Sequence, residues 1–501
     1  MMEYLLGIDQ GTSGCKMTIF NSKGNVVAET LKTYPTFYGE HGEVEQDCND
    51  WWIAIMEGIK EMLETSDIDA KQIKGIGVDG ISWACIPVDQ EGKVLCKTMI
   101  WLDRRATKEA EWMKKTVGEE ALIALSGNPV DACYMTPKML WLKENKPEVY
   151  SKTHKFLQSN SYIVYQLTGV MSQDYSQGYA YHFFDISKGQ LDKDIARQLG
   201  ISIELIPPFY HSHEVVGHVT KKAAFLTGLA VGTPVVAGGL DAACCTLGAG
   251  VIHVGQTQEQ GGQAGGMSIC LDQPVIHPKL ILGYHVVPNH WLLQGGTTGG
   301  GGTLNWFNRE LGYKEEALAK DEDTNPFVIM SQEAGEIPAG SDGVLFLPYM
   351  KGERSPLWNG DAKGVYYGLG YDKTRSHMIR STMEGVAYSL KHNLDTAKEV
   401  NVYTKTLTSV GGSSNSLVWT QIKSDVTGKR IEVPYSDHAT TLGAAILAGV
   451  GTGVYKDFQE AVKTTVKVLR VHEPNDDHVK TYRESYEEYL KLSCLMTSHM
   501  W

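Results

Sequence analysis

The sequence predicts an α/β protein built as two lobes with a cleft between them, and three observations carry that expectation. The chain has 501 residues, enough at roughly 100–200 residues per domain for two to four cores. Its two halves follow one plan, strands joined by a glycine-rich turn and then helices. Glycine supplies 53 of the 501 residues, above the ordinary ~7%, and the excess is gathered in a few turns. No repeat of short period accompanies the plan. Without a proline-rich or charge-rich linker to mark the join, the boundary is placed where a small-residue helix ends, giving lobes 1–247 and 248–501.

The elements follow in order. Residues 4–9 form an apolar run ending at Asp9, the turn Gln10-Gly11-Thr12-Ser13-Gly14 reverses the chain, and residues 15–20 and 26–30 complete a meander. A helix beginning near Asp50, its N-cap, carries Trp52, Ile55, Met56, Ile59 and Met62 at helical spacing. Residues 73–78, 84–89 and 93–100 continue the sheet, and mixed helices fill 104–168. A short strand at 235–237 enters Gly238-Gly239-Leu240-Asp241, and a small-residue helix follows at 242–247. The second half shows a glycine-rich strand and turn at 255–266, strands at 281–287 and 291–294, and a glycine run at 295–302. Helices are expected at 378–400, 416–426, 441–450 and 476–495, the last packed on the second lobe.

Composition narrows the function. Forty-six Lys and Arg against 59 Asp and Glu give a net charge of −13, so no general pull toward nucleic acid or anionic membrane is expected. The N-terminus lacks a basic, apolar leader and no apolar run approaches the ~18 residues of a membrane span, which points to the cytoplasm. Nine cysteines, none in a Cys-x-x-Cys pair, read as reduced core thiols. His211, His213 and His218 beside Glu214 match no zinc spacing and read as a surface loop.

Four clusters carry chemistry. In the first turn, Asp9 ends a strand, Gly11, Thr12 and Ser13 offer amides and hydroxyls, and Lys16 offers a cation. That set suits a phosphate with a metal ion, or is a plain hairpin turn. Neither a Walker loop nor a dinucleotide fingerprint occurs. Asp241, after a glycine pair, is either a helix cap or a general base that a hydroxyl can approach. Trp101-Leu102-Asp103-Arg104-Arg105 is either a grip for a polyol or a surface salt bridge. Gly411-Gly412-Ser413-Ser414-Asn415-Ser416, with the 295–302 run, offers backbone-accessible surface to a base or ribose.

In this joint order the clusters resemble the FGGY carbohydrate kinase family, most of all its xylulokinase branch, over residues 5–455. The resemblance adds Val44-Glu45-Gln46-Asp47 with Trp51-Trp52, the block Lys351-Gly352-Glu353-Arg354-Ser355-Pro356, and Trp419 and Leu442-Gly443-Ala444-Ala445 of the C-terminal nucleotide signature. It implies two actin-like, ribonuclease H-like ATPase lobes, the first holding sugar and the second ATP with Mg²⁺. Asp241 is then the catalytic base and Asp9 places Mg²⁺ through water. Gly262 and Gln263 belong with the phosphates; Gly301, Asn305, Gly411, Gly412, Ser413 and Asn415 belong with the nucleotide. Ser82, Trp83, Asp103 and Arg104 join Asp241 at the sugar. The implied reaction is ATP-dependent phosphorylation of a primary hydroxyl of a small sugar or polyol, pentulose first. Gluconate, glycerol, another ketose, or a non-catalytic sugar and ATP sensor are the alternatives, and a homodimer is the open assembly. Three departures stand out: Ser82-Trp83 replaces a Met-His pair in the sugar pocket, Gln263 replaces a hydroxyl residue in a phosphate turn, and Ser413 replaces the third glycine of a triplet.

Overall fold

A computed structural model describes residues 3–500. The chain divides into two compact units. One holds the chain up to Ile252 together with Cys270–Leu292 and His438–Lys467; the other holds His253–Ile269, Leu293–Asp437 and the chain from Val468 onward. The chain therefore re-enters each unit.

The first unit is organised by one sheet, in spatial order Val215–His218, Pro234–Val236, Ile73–Gly80, Tyr4–Gln10, Gly14–Asn21 and Val26–Thr33, with Gly239–Leu240 also paired to Ile73–Gly80. The expected meander forms as antiparallel pairs, whereas Tyr4–Gln10 and Ile73–Gly80 are parallel. Leu5, Leu6 and Ile8 are all buried, as a strand covered on both faces requires. The helix Cys48–Thr65 starts two residues earlier than expected, because Asp47 and not Asp50 accepts the capping amide, from Asn49. Its Trp51, Ile55, Ile59 and Met62 are buried in the core of this unit. A second helix, Ala439–Gly451, also belongs here, although the sequence places it in the second half. It lies directly on the strands: a Cβ on Gly7 would stand 2.0 Å from the Thr441 carbonyl oxygen, and one on Gly77 1.9 Å from that of Ala444. The strand expected over 93–100 shrinks to Thr98–Met99, since Asp89 accepts the amides of Glu91 and Lys93 and holds that stretch as a turn.

The sheet of the second unit runs in spatial order Trp291–Thr297, Gly265–Leu271, Gln256–Gly261, Thr406–Val410, Ile431–Pro434 and Val468–His472. Gln256–Gly261 and Thr406–Val410 are parallel, so both end at the same edge, where ligands of α/β sheets are usually found. Helices Arg375–Lys398, Leu417–Thr427 and Asp476–His499 contribute Tyr388, Trp419, Tyr482, Tyr486 and Tyr489 to its core. The acidic C-terminal helix thus packs on this unit, as expected. All nine cysteines are free. Among the described residues no helix is long and apolar enough to cross a membrane.

Candidate active site

Parallel pairing brings strand ends to one edge, and in the first unit that edge is acidic. Asp9 and Asp79 are register partners, and Gly239, two residues before Asp241, pairs with Asp79 from the other side. Gly238 makes the approach possible: its φ is +76°, and a Cβ there would stand 2.0 Å from the Val78 carbonyl oxygen. Asp241 opens the helix Asp241–Gly248 but is not its cap, which is Leu240. Its Oδ1 accepts only from the neighbouring Ala242 amide, at 2.6 Å. With the cap role taken away, the carboxylate is free for chemistry.

Burial governs how these acids ionise. Asp241 is pushed up to about 7 by burial and then by the Asp9 charge. Asp9 is pushed up to about 6 by burial, against the opposing pull of a hydrogen bond with Asp79 and of the Lys16 charge. Asp79 is fully buried and rises well above the carboxylate range through burial, then through the charges of Asp9 and Asp241. No hydrogen-bond partner faces either of its oxygens, so nothing offsets the burial that favours its protonated form.

The turn after Asp9 is held by its oxygens. The Gly11 amide donates to Gly14 O at 3.1 Å, the Tyr34 hydroxyl to Gly11 O, Gln46 to Thr12 O at 2.7 Å, and the Trp101 indole to Thr12 Oγ1 at 2.9 Å. Ser13 is exposed at the tip. Lys16 is the register partner of Asp9 and lies 3.4 Å from Glu29.

Trp83 takes a φ of +57°, a costly conformation for a bulky residue. Its surroundings fix it there. The ring stacks on Tyr134 at 4.1 Å, and its carbonyl accepts from Lys138 at 2.9 Å while the same ammonium reaches Ile100 O at 2.7 Å. The indole N–H is buried without an acceptor. Ser82, half-buried, accepts from the Tyr179 hydroxyl at 3.1 Å. Burial pulls Lys138 down to about 8.

Asp103 calls for a correction. It is fully buried, and its two oxygens accept from the Val44 amide at 2.7 Å and from the Arg105 amide and guanidinium at 2.6–3.1 Å. A carboxylate so engaged supports the loop that carries Trp101 and Arg104 and does not reach a substrate hydroxyl. Arg104 is exposed and pairs with Asp131 at 2.7 Å.

The second unit contains a cavity of about 760 Å³. Gly261, Gly262 and Gln263 line it from one turn, Gly301 and Asn305 from a helix start, and Gly412, Ser413 and Asn415 from another turn. Gly411 stands behind this last turn with φ +86°, where a Cβ would lie 3.2 Å from the Gly261 carbonyl carbon. Gln263 folds over the helix start, its carbonyl accepting the Gly302 amide at 3.1 Å. Phe327, Val328 and Leu417 add apolar wall. No lining side chain is charged, so a ligand here is held by backbone amides, side-chain amides, hydroxyls and contact. In contrast, Leu442–Ala445 of the expected nucleotide signature lies in the first unit, on the strands.

Asp79, Tyr134, Tyr179 and Lys138 escape the sequence reading. Asp79 had a signal: Val78-Asp79-Gly80 ends its strand much as Ile8-Asp9-Gln10-Gly11 ends the first. The others sit in ordinary helical or loop contexts. Asp79 also makes a test. A carboxyl whose folded-state pKa is raised contributes stability that is complete below its unfolded value and is lost as pH rises toward the folded one, at about 1.4 kcal/mol per pH unit. Asn carries no such slope. Melting of Asp79→Asn, without divalent cations, therefore improves relative to wild type between about pH 5 and about pH 8; an identical offset at both pH values would mean that Asp79 is ionised when folded.

Two family descriptions match the chain: the N-terminal domain of the FGGY family of carbohydrate kinases over residues 4–248, and its C-terminal domain over residues 268–452. A xylulose kinase of Bacillus subtilis is 31% identical over 490 residues, 97% of this chain and 96% of that protein. A gluconokinase of the same organism is 28% identical over 498 residues, 99% of this chain and 96% of that protein. The crystal structure of a xylulose kinase from Rhodospirillum rubrum superposes with a TM-score of 0.89 at 27% identity, covering 99% of both chains.

Proposed function

Since the chain belongs to the FGGY family of carbohydrate kinases, we propose that it transfers the terminal phosphoryl group of ATP to a primary hydroxyl of a pentulose. The observation that carries this reading is the Asp241 carboxylate, freed from capping and raised to about 7 beside Asp9. A general base works best when its pKa lies near the working pH. Asp241 accepts the hydroxyl proton as the sugar oxygen forms its bond to the γ-phosphorus; the bond to the bridging oxygen breaks and ADP leaves with those electrons.

In this reading the first unit holds sugar and base, and the cavity of the second holds the nucleotide. Among the described residues no three His, Cys, Asp or Glu side chains gather as a metal cage. Magnesium does not need one, being held commonly by one or two carboxylates, waters and substrate phosphates. Asp9, half-buried with the protonated Asp79 behind it, suits that task through water, and the ion would supply neutralisation of phosphate charge. The turn Gly11-Thr12-Ser13 and Lys16 lie on the same strand end to meet phosphate oxygens.

For the sugar, the half-buried Ser82 offers a hydroxyl, and the buried Trp83, stacked on Tyr134, carries an indole N–H without an acceptor. The nearby cations are already engaged: Arg104 with Asp131, Arg105 with Asp103 and Glu45, Lys138 with two carbonyls. That favours an uncharged polyhydroxyl substrate over the carboxylate gluconate, and keeps glycerol or another ketose as the second reading. ADP release with pentuloses, hexuloses, gluconate, glycerol and erythritol tests it. The largest kcat/KM is expected for a pentulose; a larger value for gluconate would overturn the choice of substrate, and ADP release no faster than without sugar would favour a sensor.

A further inference from the structure

Beneath the nucleotide cavity lies a buried ion pair that the reaction scheme leaves unused. Glu259 stands two residues before the turn at Gly261, and its register partner on the parallel neighbour is Ser409, two residues before the turn at Gly411. Ser409 Oγ donates to Glu259 Oε2 at 2.5 Å. Lys423, from the helix Leu417–Thr427, donates to Glu259 Oε1 at 2.6 Å and to Ser413 Oγ at 2.7 Å. Its side chain is fully buried.

Stability alone is a poor account of such a pair, since replacing a buried ion pair with apolar side chains of like volume is often neutral or favourable. Its position gives a better one. Four anchored points, the ends of two parallel strands, a helix and the Gly411–Asn415 turn, meet at one ammonium and one carboxylate. The turns they join have no slack: a Cβ on Gly261 would stand 1.8 Å from Ser413 Oγ and 3.2 Å from Lys423 Nζ. The cavity above has no charged side chain, so its hold on a ligand depends on short-range contacts and backbone amides, which small displacements weaken steeply.

We propose that Lys423 and Glu259 are positioning residues for the nucleotide, holding the Ser413 turn against the Gly261–Gln263 turn at the spacing that ATP requires. The proposal rests on reading this cavity as the ATP site. The departure of Ser413 from glycine then has a reason, because its hydroxyl is where the ammonium grips the turn.

The test uses the full chain with Lys423→Met/Glu259→Gln, which removes both charges and keeps volume, alone and in a Ser413→Ala background. The readouts are KM for ATP, calorimetric Kd for ADP, KM for sugar, and melting. ATP KM and ADP Kd are expected to rise about tenfold or more while sugar KM stays within about twofold, and the paired change should add little once Ser413 is Ala. A folded variant with wild-type ADP affinity, or one whose sugar and ATP KM rise together, overturns the proposal whatever its melting point. If the paired variant does not fold, Ser413→Ala alone decides, unchanged ADP affinity counting against. Wild-type protein that fails to bind ADP would instead remove the nucleotide reading itself.

Discussion

Asp241→Asn lowers kcat by about a thousandfold, inside the ~10²–10⁴ that a positioned general base contributes, and leaves the affinity for ADP as it is. Asn is nearly isosteric and can still accept the Ala242 amide, so the strand end and helix start keep their shape. What it cannot do is take the hydroxyl proton. The wild-type enzyme carries a second signature of the same group. The base acts when deprotonated, and with a pKa of about 7 it is mostly protonated in mildly acidic solution. kcat/KM is therefore expected to fall about tenfold per pH unit below about 7 and to level off above it, whereas the residual activity of the variant loses that dependence. ADP release against pH, for both proteins with the same sugar, measures this; an Asn variant with wild-type kcat would strip Asp241 of the role.

Much of this site is legible in the sequence because its residues are tied to local signals. Asp9 and Asp241 each end an apolar run and stand next to glycines, and strand-glycine-acid is a pattern that one window can show. Gly411 and Gly412 are legible for the same reason. Tertiary partners are not. Asp103 beside two arginines reads as a polyol grip until the Val44 amide, brought in from fifty-nine residues away, saturates it. Asp79 joins the acidic edge of the candidate site only through register with Asp9, which no single segment displays. Lys423 looks like an ordinary helical lysine, and only the meeting of two parallel strand ends beneath it reveals Glu259 as its partner. The division of the chain is hidden for a related reason. The glycine-rich plan of the two halves is local, but the return of Ala439–Gly451 to the first unit is decided by the bare backbone that Gly7 and Gly77 present, a surface made jointly by two strands.

That bare surface makes the second large effect predictable. Gly77→Ala destabilises the first unit by about 3 kcal/mol, at the upper end of what overpacking usually costs. The new methyl would stand 1.9 Å from the Ala444 carbonyl oxygen, and neither partner can yield as a flexible side chain would. One is a central strand flanked by pairing on both sides; the other is helix backbone, pressed from its far side by the closeness of Gly443 to Cys244, where a Cβ would stand 1.9 Å from the Cys244 carbonyl oxygen. The helix must lift, and Asp79, two residues along the same strand, moves with the edge that holds Asp9. The melting transition of the first unit is expected to fall by roughly 5–10 °C, with ADP binding in the second unit retained below that transition. Gly7→Ala, 2.0 Å from Thr441 O, should act alike, and because both methyls push the same helix the double variant should lose less than the sum of the two. Melting points within about 1 °C of wild type for both single variants would show that the helix Ala439–Gly451 rests on the strands less closely than these distances require.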